Sequence, residues 1–459
     1  MSRDPLSLLR SILCATALGV LGTPALPACS DSPAHPSGAG GASGSAGTSG
    51  NAGTAGTAGG SGRSGSGGVG NGGGGNGGAG NGGAGNGGGG NGGAGNGGGG
   101  NAGAGGAGTA GLFLGGFFPI GAFLVPPTDG HFEKWMGRGI NTMVNEAGDD
   151  IVAWDRRARA LGLKMIRHPL PNPADDIGRT DLLAWMQDDE PDASGRGNAN
   201  LPICQQRYMD WKRVDPSRPV YINFGGSDVM DAVDSAPGCS DCLLTGMYRS
   251  FIETADWISN DRYPVAGYLN QPQRHNDLTL IGEPMDRIRG WTDKPQFCYV
   301  ETSDQAFIDG ARGVRPDELR AEIWLAIVHG VRGIVYFPEV VSGPNFGWDG
   351  TPAEVAAEMT IQNATITALA PVLQGEIDPP GLGATVPGPL QVAWRKAPNG
   401  SHFIVVNPVA APTTAMVRLS GVGAAASASV FGENRAVDVA QGTLQDRFDA
   451  HAVHIYVVR

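Results

Sequence analysis

Eight short apolar segments, each separated from the next by a more polar stretch, run through residues 117–340 and restrict the fold more than anything else in the chain. They read FFPIGAFLV (117–125), INTMVNE (140–146), LKMIRHP (163–169), LLAWMQDDE (182–190), VYINFGG (220–226), ADWISND (255–261), PQFCYVE (295–301) and GIVYFPEV (333–340). Between them lie HFEKWMGRG, IVAWDRRARALG, ICQQRYMDWKRVDP, LIGEPMDRIRGW and RPDELRAEIWLAIVHGVRG. In the last, Leu319, Ile323, Ala326, Ile327 and Gly330 recur at helical spacing, and Gly333 is the expected stop. Strands alternating with helices form a parallel sheet with right-handed crossovers. Eight such units match a closed (β/α)8 barrel better than an open doubly wound sheet.

In such a barrel the C-terminal strand ends line the functional face. Here those ends are polar: Asn145 and Glu146, Arg167 and His168, Asp188 to Glu190, Asn223, Asp261 and Tyr263, Glu301, and Tyr336 with Glu339. Packing alone does not select apolar strands that finish in carboxylates around a ring. From about Val386 the pattern changes to LQVAWRKA, SHFIVVNP, TAMVRLSG, ASASVFGE and HAVHIYVVR, separated by turn residues. That pattern predicts a small antiparallel β-sandwich. The expected divisions are a barrel over 112–375 and the sandwich over 376–459.

Cleaving a glycosidic bond takes one carboxylic acid to protonate the leaving oxygen and a second carboxylate to support the oxocarbenium-like centre. Glu190 and Glu301 close strands on different parts of the ring. Asp188 and Asp189 beside Glu190 favour its protonated form. Pro191 predicts an extended backbone at Glu190.

Over most of residues 112–459 the chain resembles the large clan of retaining (β/α)8 glycoside hydrolases with the acid/base after strand four and the nucleophile after strand seven. LAWMQDDEPD, ADWISNDRYPV, CYVETSD, WLAIVHGVRGIVYF and the closing strands FIVVNP and VHIYVV carry the resemblance. It implies Glu190 as acid/base and Glu301 as nucleophile, their carboxyls about 5–5.5 Å apart. Asp189 stands where much of that clan has an Asn bonded to the sugar 2-hydroxyl; ionised, it accepts a hydrogen bond but donates none.

Further candidates for substrate contact are Asn145, His168 and Asp261, and the aromatics Tyr263, Tyr336, Phe337 and Trp348, each equally readable as a core or rim aromatic. Trp185 reads as core, and His329 and Asp256 as structural. Glu146 and Glu339 are rim acids that could replace Glu301. Two other readings stay open: a catalytically silent barrel that binds surface glycans, and a metal-dependent hydrolase, which no HxH spacing supports. No cofactor and no metal are expected.

The N-terminal MSRDPLSLLRSILCATALGVLGTPALPAC has Arg3 and Arg10 ahead of an apolar run too short to span a bilayer comfortably, as in an export signal over residues 1–28. Leu26-Pro27-Ala28-Cys29 resembles the lipobox of bacterial lipoproteins, which makes Cys29 the expected lipidation site and the only route to a membrane. Residues 29–111 hold GNGGAGNGGGG-like repeats and most of the 77 glycines; with little to bury, this tract is expected to be a disordered tether. The expected location is therefore the cell surface, the outer membrane or the medium. The net charge of −12 argues against nucleic acid as partner and leaves a carbohydrate substrate and a monomer. Cys239 and Cys242 read as a loop disulfide; Cys204 and Cys298 are either buried thiols or a second bridge.

Overall fold

The computed structural model describes residues 112–458, apart from 129, 147, 149, 194–195, 239–241, 269–270, 342–345, 399 and 423–426. The signal segment, Cys29, the glycine-rich tract and Cys239 lie outside the described residues. Eight parallel strands close into a barrel in sequence order: β1 (Ile120–Phe123), β2 (Thr142–Asn145), β3 (Lys164–Arg167), β4 (Leu182–Met186), β5 (Val220–Gly225), β6 (Trp257–Asp261), β7 (Gln296–Glu301) and β8 (Ile334–Phe337). The ring is sealed where β1 pairs with β8, Ile120 opposite Ile334 and Ala122 opposite Tyr336. All eight expected strands are present, each shorter than its apolar run.

Period two sorts the strand residues into two layers. Phe123, Val144, Ile166, Met186, Tyr221, Phe297, Tyr299 and Val335 pack together as the barrel interior. Ile120, Met143, Met165, Trp185, Cys298, Val300, Ile334 and Tyr336 face the surrounding helices. Gly121 belongs to the interior, where a Cβ would sit 3.0 Å from Val144 and 3.2 Å from Val335.

The outer helices are α1 (His131–Gly137), α2 (Ile151–Ala160), α3 (Gly197–Val214), α4 (Gly226–Asp231), α5 (Thr245–Ile252), α6 (Glu283–Arg289), α7 (Pro316–Val328) and α8 (Ala353–Leu373). Of these, α4, α5 and α8 were not expected from the pattern. Helix α7 starts with Pro316 at its first position, and Glu318 reaches back to the Arg315 N–H at 3.0 Å. It ends at Val328 rather than running to Gly333, because Gly330 takes a left-handed φ of +92°. Leu319, Ala321, Ile323, Leu325 and Ile327 are all buried, so α7 is covered on every side.

A three-stranded sheet of β10 (Gly383–Thr385), β13 (Thr413–Ser420) and β16 (Thr443–Phe448) follows. Its companion is a six-stranded sheet in the order β15 (Arg435–Asp438), β14 (Ser427–Val430), β17 (Val453–Val458), β12 (Gly400–Val406), β11 (Gln391–Ala397) and β9 (Glu376–Ile377). The pairings are antiparallel, and Trp394, Phe403, Val417, Leu444, Phe448 and Tyr456 form the core. The fold is a TIM barrel followed by a small β-sandwich.

The path from α8 into β9 passes through Gly375, where a Cβ would stand 2.0 Å from the Lys396 carbonyl oxygen. Backbone cannot yield as a flexible side chain does. Gly375→Ala is expected to lower unfolding stability by about 1–3 kcal/mol; an unchanged urea midpoint would contradict this.

Candidate active site

A cavity of about 270 Å³ opens at the C-terminal ends of the barrel strands. Glu146, Asp188, Asp189, Glu190, Asp261 and Glu339 line it with Arg196 and Asn200, against the aromatics Phe123, Tyr263, Tyr268, Tyr299, Phe307 and Phe337. The stretch after β4 is therefore part of the cavity wall.

Glu190 is not extended, as Pro191 had predicted. Its φ is +41°, in the left-handed region that side chains disfavour. The cause lies two residues on. Asp192 is fully buried and accepts from the Gly225 N–H at 3.2 Å and the Tyr248 hydroxyl at 2.8 Å, while Asn200 donates to the Pro191 carbonyl at 2.7 Å. These bonds draw the chain sharply down behind β5, and Glu190 turns to follow. A strained backbone held by surrounding bonds is a common feature of functional sites.

The Glu190 carboxyl accepts from the Tyr268 hydroxyl at 2.9 Å and also meets the Asp261 carboxyl. Two carboxyls in contact need a proton between them. Burial pushes Glu190 up, and the bonds from Asp261 and Tyr268 and the Arg196 charge work against that rise. Asp261 is raised well above the ordinary range by burial and then by the Glu190 and Asp189 charges, so it keeps its proton to higher pH than Glu190 and donates it to the Glu190 carboxyl. Gly226 donates its N–H to Asp261 at 3.3 Å, and a Cβ at Gly226 would come within 2.3 Å of the Asp261 carbonyl. Only glycine permits that approach.

Asp189 accepts from the Asn223 amide at 3.0 Å and donates its own N–H to Glu146 at 3.3 Å. Burial, then the Glu190 and Glu146 charges, raise it well above the usual range. Opposite these acids, Tyr263 stacks on Phe337 with centroids 5.5 Å apart and 10° between planes, and on Phe307 at 6.4 Å and 18°. Glu339, just past β8, has no hydrogen-bond partner among the described residues, and burial raises its pKa.

Of the residues expected from the sequence, Asp188, Asp189, Glu190, Asp261, Tyr263, Phe337 and the rim acids Glu146 and Glu339 come together here; Asn145, His168, Glu301, Tyr336 and Trp348 do not. Glu301 is 2% exposed and does not line the cavity. One carboxyl oxygen accepts from the Val265 N–H at 2.8 Å, the other from the Ala266 N–H at 2.7 Å, and the group also meets Glu322 of α7. Glu301 is thus held behind the cavity wall rather than among the residues that line it with Glu190. Tyr336 is fully buried on the helix side of β8 and donates to Asn363 at 2.8 Å. Trp348 packs beside Trp135 with centroids 6.1 Å apart, away from the cavity. Asn145 is half-buried at the end of β2 and does not reach the cavity.

His168 lines a separate hollow with Pro169, Pro171 and Trp211, its ring 5.2 Å from Trp211. Cys204 and Cys298 are buried free thiols, which removes the second bridge; Cys242 is disulfide-bonded. His329 and Asp256 are structural: His329 bridges Asp286 and Gln391, and Asp256 accepts the Val220 N–H. The residues missed were Tyr268, Phe307, Tyr299, Phe123, Arg196 and Asn200. Tyr268 had a signal, since Gly267 at φ +84° lets it fold back to bridge Tyr263. Phe307 lies in a loop and had none.

No family model matches the chain, and no curated protein matches its sequence. Solved structures do. A catalytic mutant of a GH42 beta-galactosidase from G. stearothermophilus aligns with a TM-score of 0.52 at 8% identity, over 75% of this chain and 98% of that one. The endo-beta-1,4-mannanase from Thermotoga petrophila gives 0.39 at 11%, over 72% and 91%. The alpha-amylase from Geobacillus thermoleovorans gives 0.41 at 8%, over 74% and 98%. The chain is similar to the beta-galactosidase in fold.

Buried acids set the pH response of stability. Burial lifts Glu301 to about 7 and places Asp189, Asp192, Asp261 and Glu322 above their ordinary values. A carboxyl raised in the folded state contributes fully below its unfolded pKa and loses that contribution as pH rises through the folded one. Glu318, lowered to about 2, is ionised throughout. The buried histidines His168, His402, His451 and His454, all lowered, have the opposite sign but finish near the unfolded value of about 6.5. Unfolding stability should therefore fall as pH rises through about 7, from pH 6.5 to pH 8. A urea midpoint that rises over that interval would contradict this.

Proposed function

We propose that the protein is a glycoside hydrolase whose general acid is Glu190. The observation that carries the reading is the proton-sharing contact of Glu190 with Asp261 in a strand-end cavity walled by stacked aromatics. A leaving glycosidic oxygen needs a carboxyl that is still protonated near neutral pH. Burial raises Glu190 toward that condition, and Asp261 holds a second proton within hydrogen-bond reach. As Glu190 releases its proton to the leaving group, the Asp261 proton and the Tyr268 hydroxyl steady the new carboxylate.

The second carboxylate is Glu339, which replaces Glu301 in that role. It lies past β8, the strand opposite β4 in the ring, it lines the same cavity, and no described donor holds it. Retention through Glu301 would require that carboxylate to leave two amide donors. Asp189, kept protonated, offers both a donor and an acceptor, which answers the loss of the amide that the resembled clan places before its acid. The Tyr263 and Phe337 faces suit the apolar face of a sugar ring. The fold similarity to a beta-galactosidase is consistent with this reading. With Cys29 lipidated, the glycine-rich tract would hold the domain away from the membrane toward polysaccharide.

Screening the purified protein on aryl glycosides and polysaccharides tests the proposal. Glu190→Gln and Glu339→Gln should each lower kcat by about 10²–10⁴-fold on a cleaved substrate, with circular dichroism unchanged. Proton NMR of the first-released anomer then reports retention or inversion. Retained glycan binding with no bond cleaved by the parent would instead establish a binding module.

A further inference from the structure

Behind the cavity wall a second pair of carboxyls is in contact, and the proposed chemistry does not use it. Glu301 at the end of β7 and Glu322 on α7 are both buried. Among the described residues no N–H or O–H donor meets either oxygen of Glu322, so the contact persists only while one of the two groups keeps its proton. The Glu322 carboxyl lies deeper in the range that favours protonation, raised by burial and then by Glu301, so it is the donor and Glu301 the acceptor. Both Glu301 oxygens then accept from the adjacent N–H groups of Val265 and Ala266, at 2.8 and 2.7 Å.

Those two amides belong to the turn that follows β6. Tyr263 and Tyr268 bracket it and bond to each other through their backbones, Tyr268 donating its N–H at 3.1 Å. Ala266 also accepts the Phe307 N–H at 2.7 Å. The side chains this turn presents are the Tyr263 face, on which Phe307 of the loop after β7 stacks, and the Tyr268 hydroxyl, which lies 2.9 Å from Glu190.

We infer that Glu301, with Glu322 behind it, is a positioning residue: it clamps the Tyr263–Tyr268 turn and so aims the Tyr268 hydroxyl at Glu190. This rests on the reading of Glu190 as general acid. The carboxylate of Glu301 bonds two adjacent amides at once, which a single neutral acceptor in its place does not reproduce. The groups facing Glu190 are Asp189 and Asp192 from its own segment, Asp261 from β6, Tyr263 and Tyr268 from the two ends of the turn and Arg196 at the start of α3. Of the two tyrosines carried by the clamped turn, only Tyr268 hydrogen-bonds Glu190. A hydroxyl donating to a carboxylate favours the ionised form. Losing it raises the Glu190 pKa, and the alkaline limb of kcat/KM, which follows loss of the acid's proton, moves to higher pH.

The test compares Glu301→Gln, Tyr268→Phe and their double variant in the full chain. Each single variant should lower kcat/KM by about 10–100-fold and move the alkaline limb upward. The double variant should be little worse than Glu301→Gln alone. Should Glu301→Gln fail to fold, Glu322→Leu serves in its place, and Glu322→Gln, whose amide still donates, should recover most of the loss. A nucleophilic Glu301 predicts something else: no turnover in Glu301→Ala and its return on adding azide, which would overturn the inference. An unmoved alkaline limb in Glu301→Gln would overturn it as well. A ¹⁹F NMR signal from 3-fluorotyrosine at position 268 separates this inference from the hydrolase reading. If the parent cleaves no glycoside yet the signal moves in Glu301→Gln, the clamp stands and the assignment of function falls; an unmoved signal removes the clamp.

Discussion

The functional face depends on carboxyl groups buried against one another with few cations to balance them. Asp189, Glu190 and Asp261 occupy one side of the cavity with Asp192 buried beneath them, and the charge that acts on Glu190 from outside this set is Arg196. Leaving such groups ionised together in a low dielectric costs far more than any single hydrogen bond returns. They remain there because protons are shared and because backbone amides, hydroxyls and an asparagine satisfy the remaining lone pairs. The Gly225 N–H and Tyr248 hydroxyl on Asp192, the Gly226 N–H on Asp261 and the Asn223 amide on Asp189 all come from neighbouring strands or helices of the ring. A closed barrel suits this task, since its strand ends converge and each lends donors to the next. The left-handed backbone at Glu190 is the local cost of seating Asp192 among those donors.

The same physics recurs one layer out with a different result. In the proposed mechanism the Glu190 proton, steadied by Asp261, lies beside an open cavity and is available for transfer. At Glu301 and Glu322 the shared proton is sealed between β7 and α7, where it only joins two elements. On the proposed assignment, accessibility, rather than residue type or degree of pKa displacement, separates the acid that reacts from the one that holds a loop. It is also why two strands ending in glutamate, β4 and β7 with their following residues, carry such different groups.

That difference bears on how much could be read from the chain. All eight barrel strands were legible because each is an apolar run bounded by polar or turn residues, whereas the two layers, separated at Tyr299 and Val300 or at Val335 and Tyr336, were not assigned from the chain. The residues beyond the last ladder bond were not legible. Continuing the alternation of Phe297 and Tyr299 would aim Glu301 at the interior, but the Val265 and Ala266 amides of the next turn capture its carboxylate instead. His168 likewise follows Arg167, whose guanidinium is held by Asp155 and Asp176 behind the strand, and it ends beside Trp211 in a separate hollow. At Tyr336 and Phe337 the aromatics differ by one residue and therefore by face; only the second reaches the cavity. Helix α8 escaped notice because its faces are buried or apolar with no repeating polar stripe, and β9, β10, β15 and β16 are too short or too polar to stand out.

The C-terminal sheets acquire a role through the same chain of contacts. They reach α7 by the Arg395 guanidinium on the Ile327 carbonyl and by His329, which donates or accepts at Gln391 of β11. A buried arginine bonded to the last turn of a helix also opposes the partial negative charge there. Helix α7 is therefore held from outside by the sandwich, from beside by the Trp324 to Gln362 bond with α8, and from inside by the barrel. Its Glu322 faces inward from that fixed position onto Glu301. Rigidity of the turn bearing Tyr268 thus traces back through two carboxyls and one helix to a domain that has no residue in the cavity. A helix free to slide by one residue would carry Glu322 about 1.5 Å along its axis, more than a hydrogen bond tolerates. In this chain the sandwich bonds to the last turn of α7 and so helps to hold that helix in register.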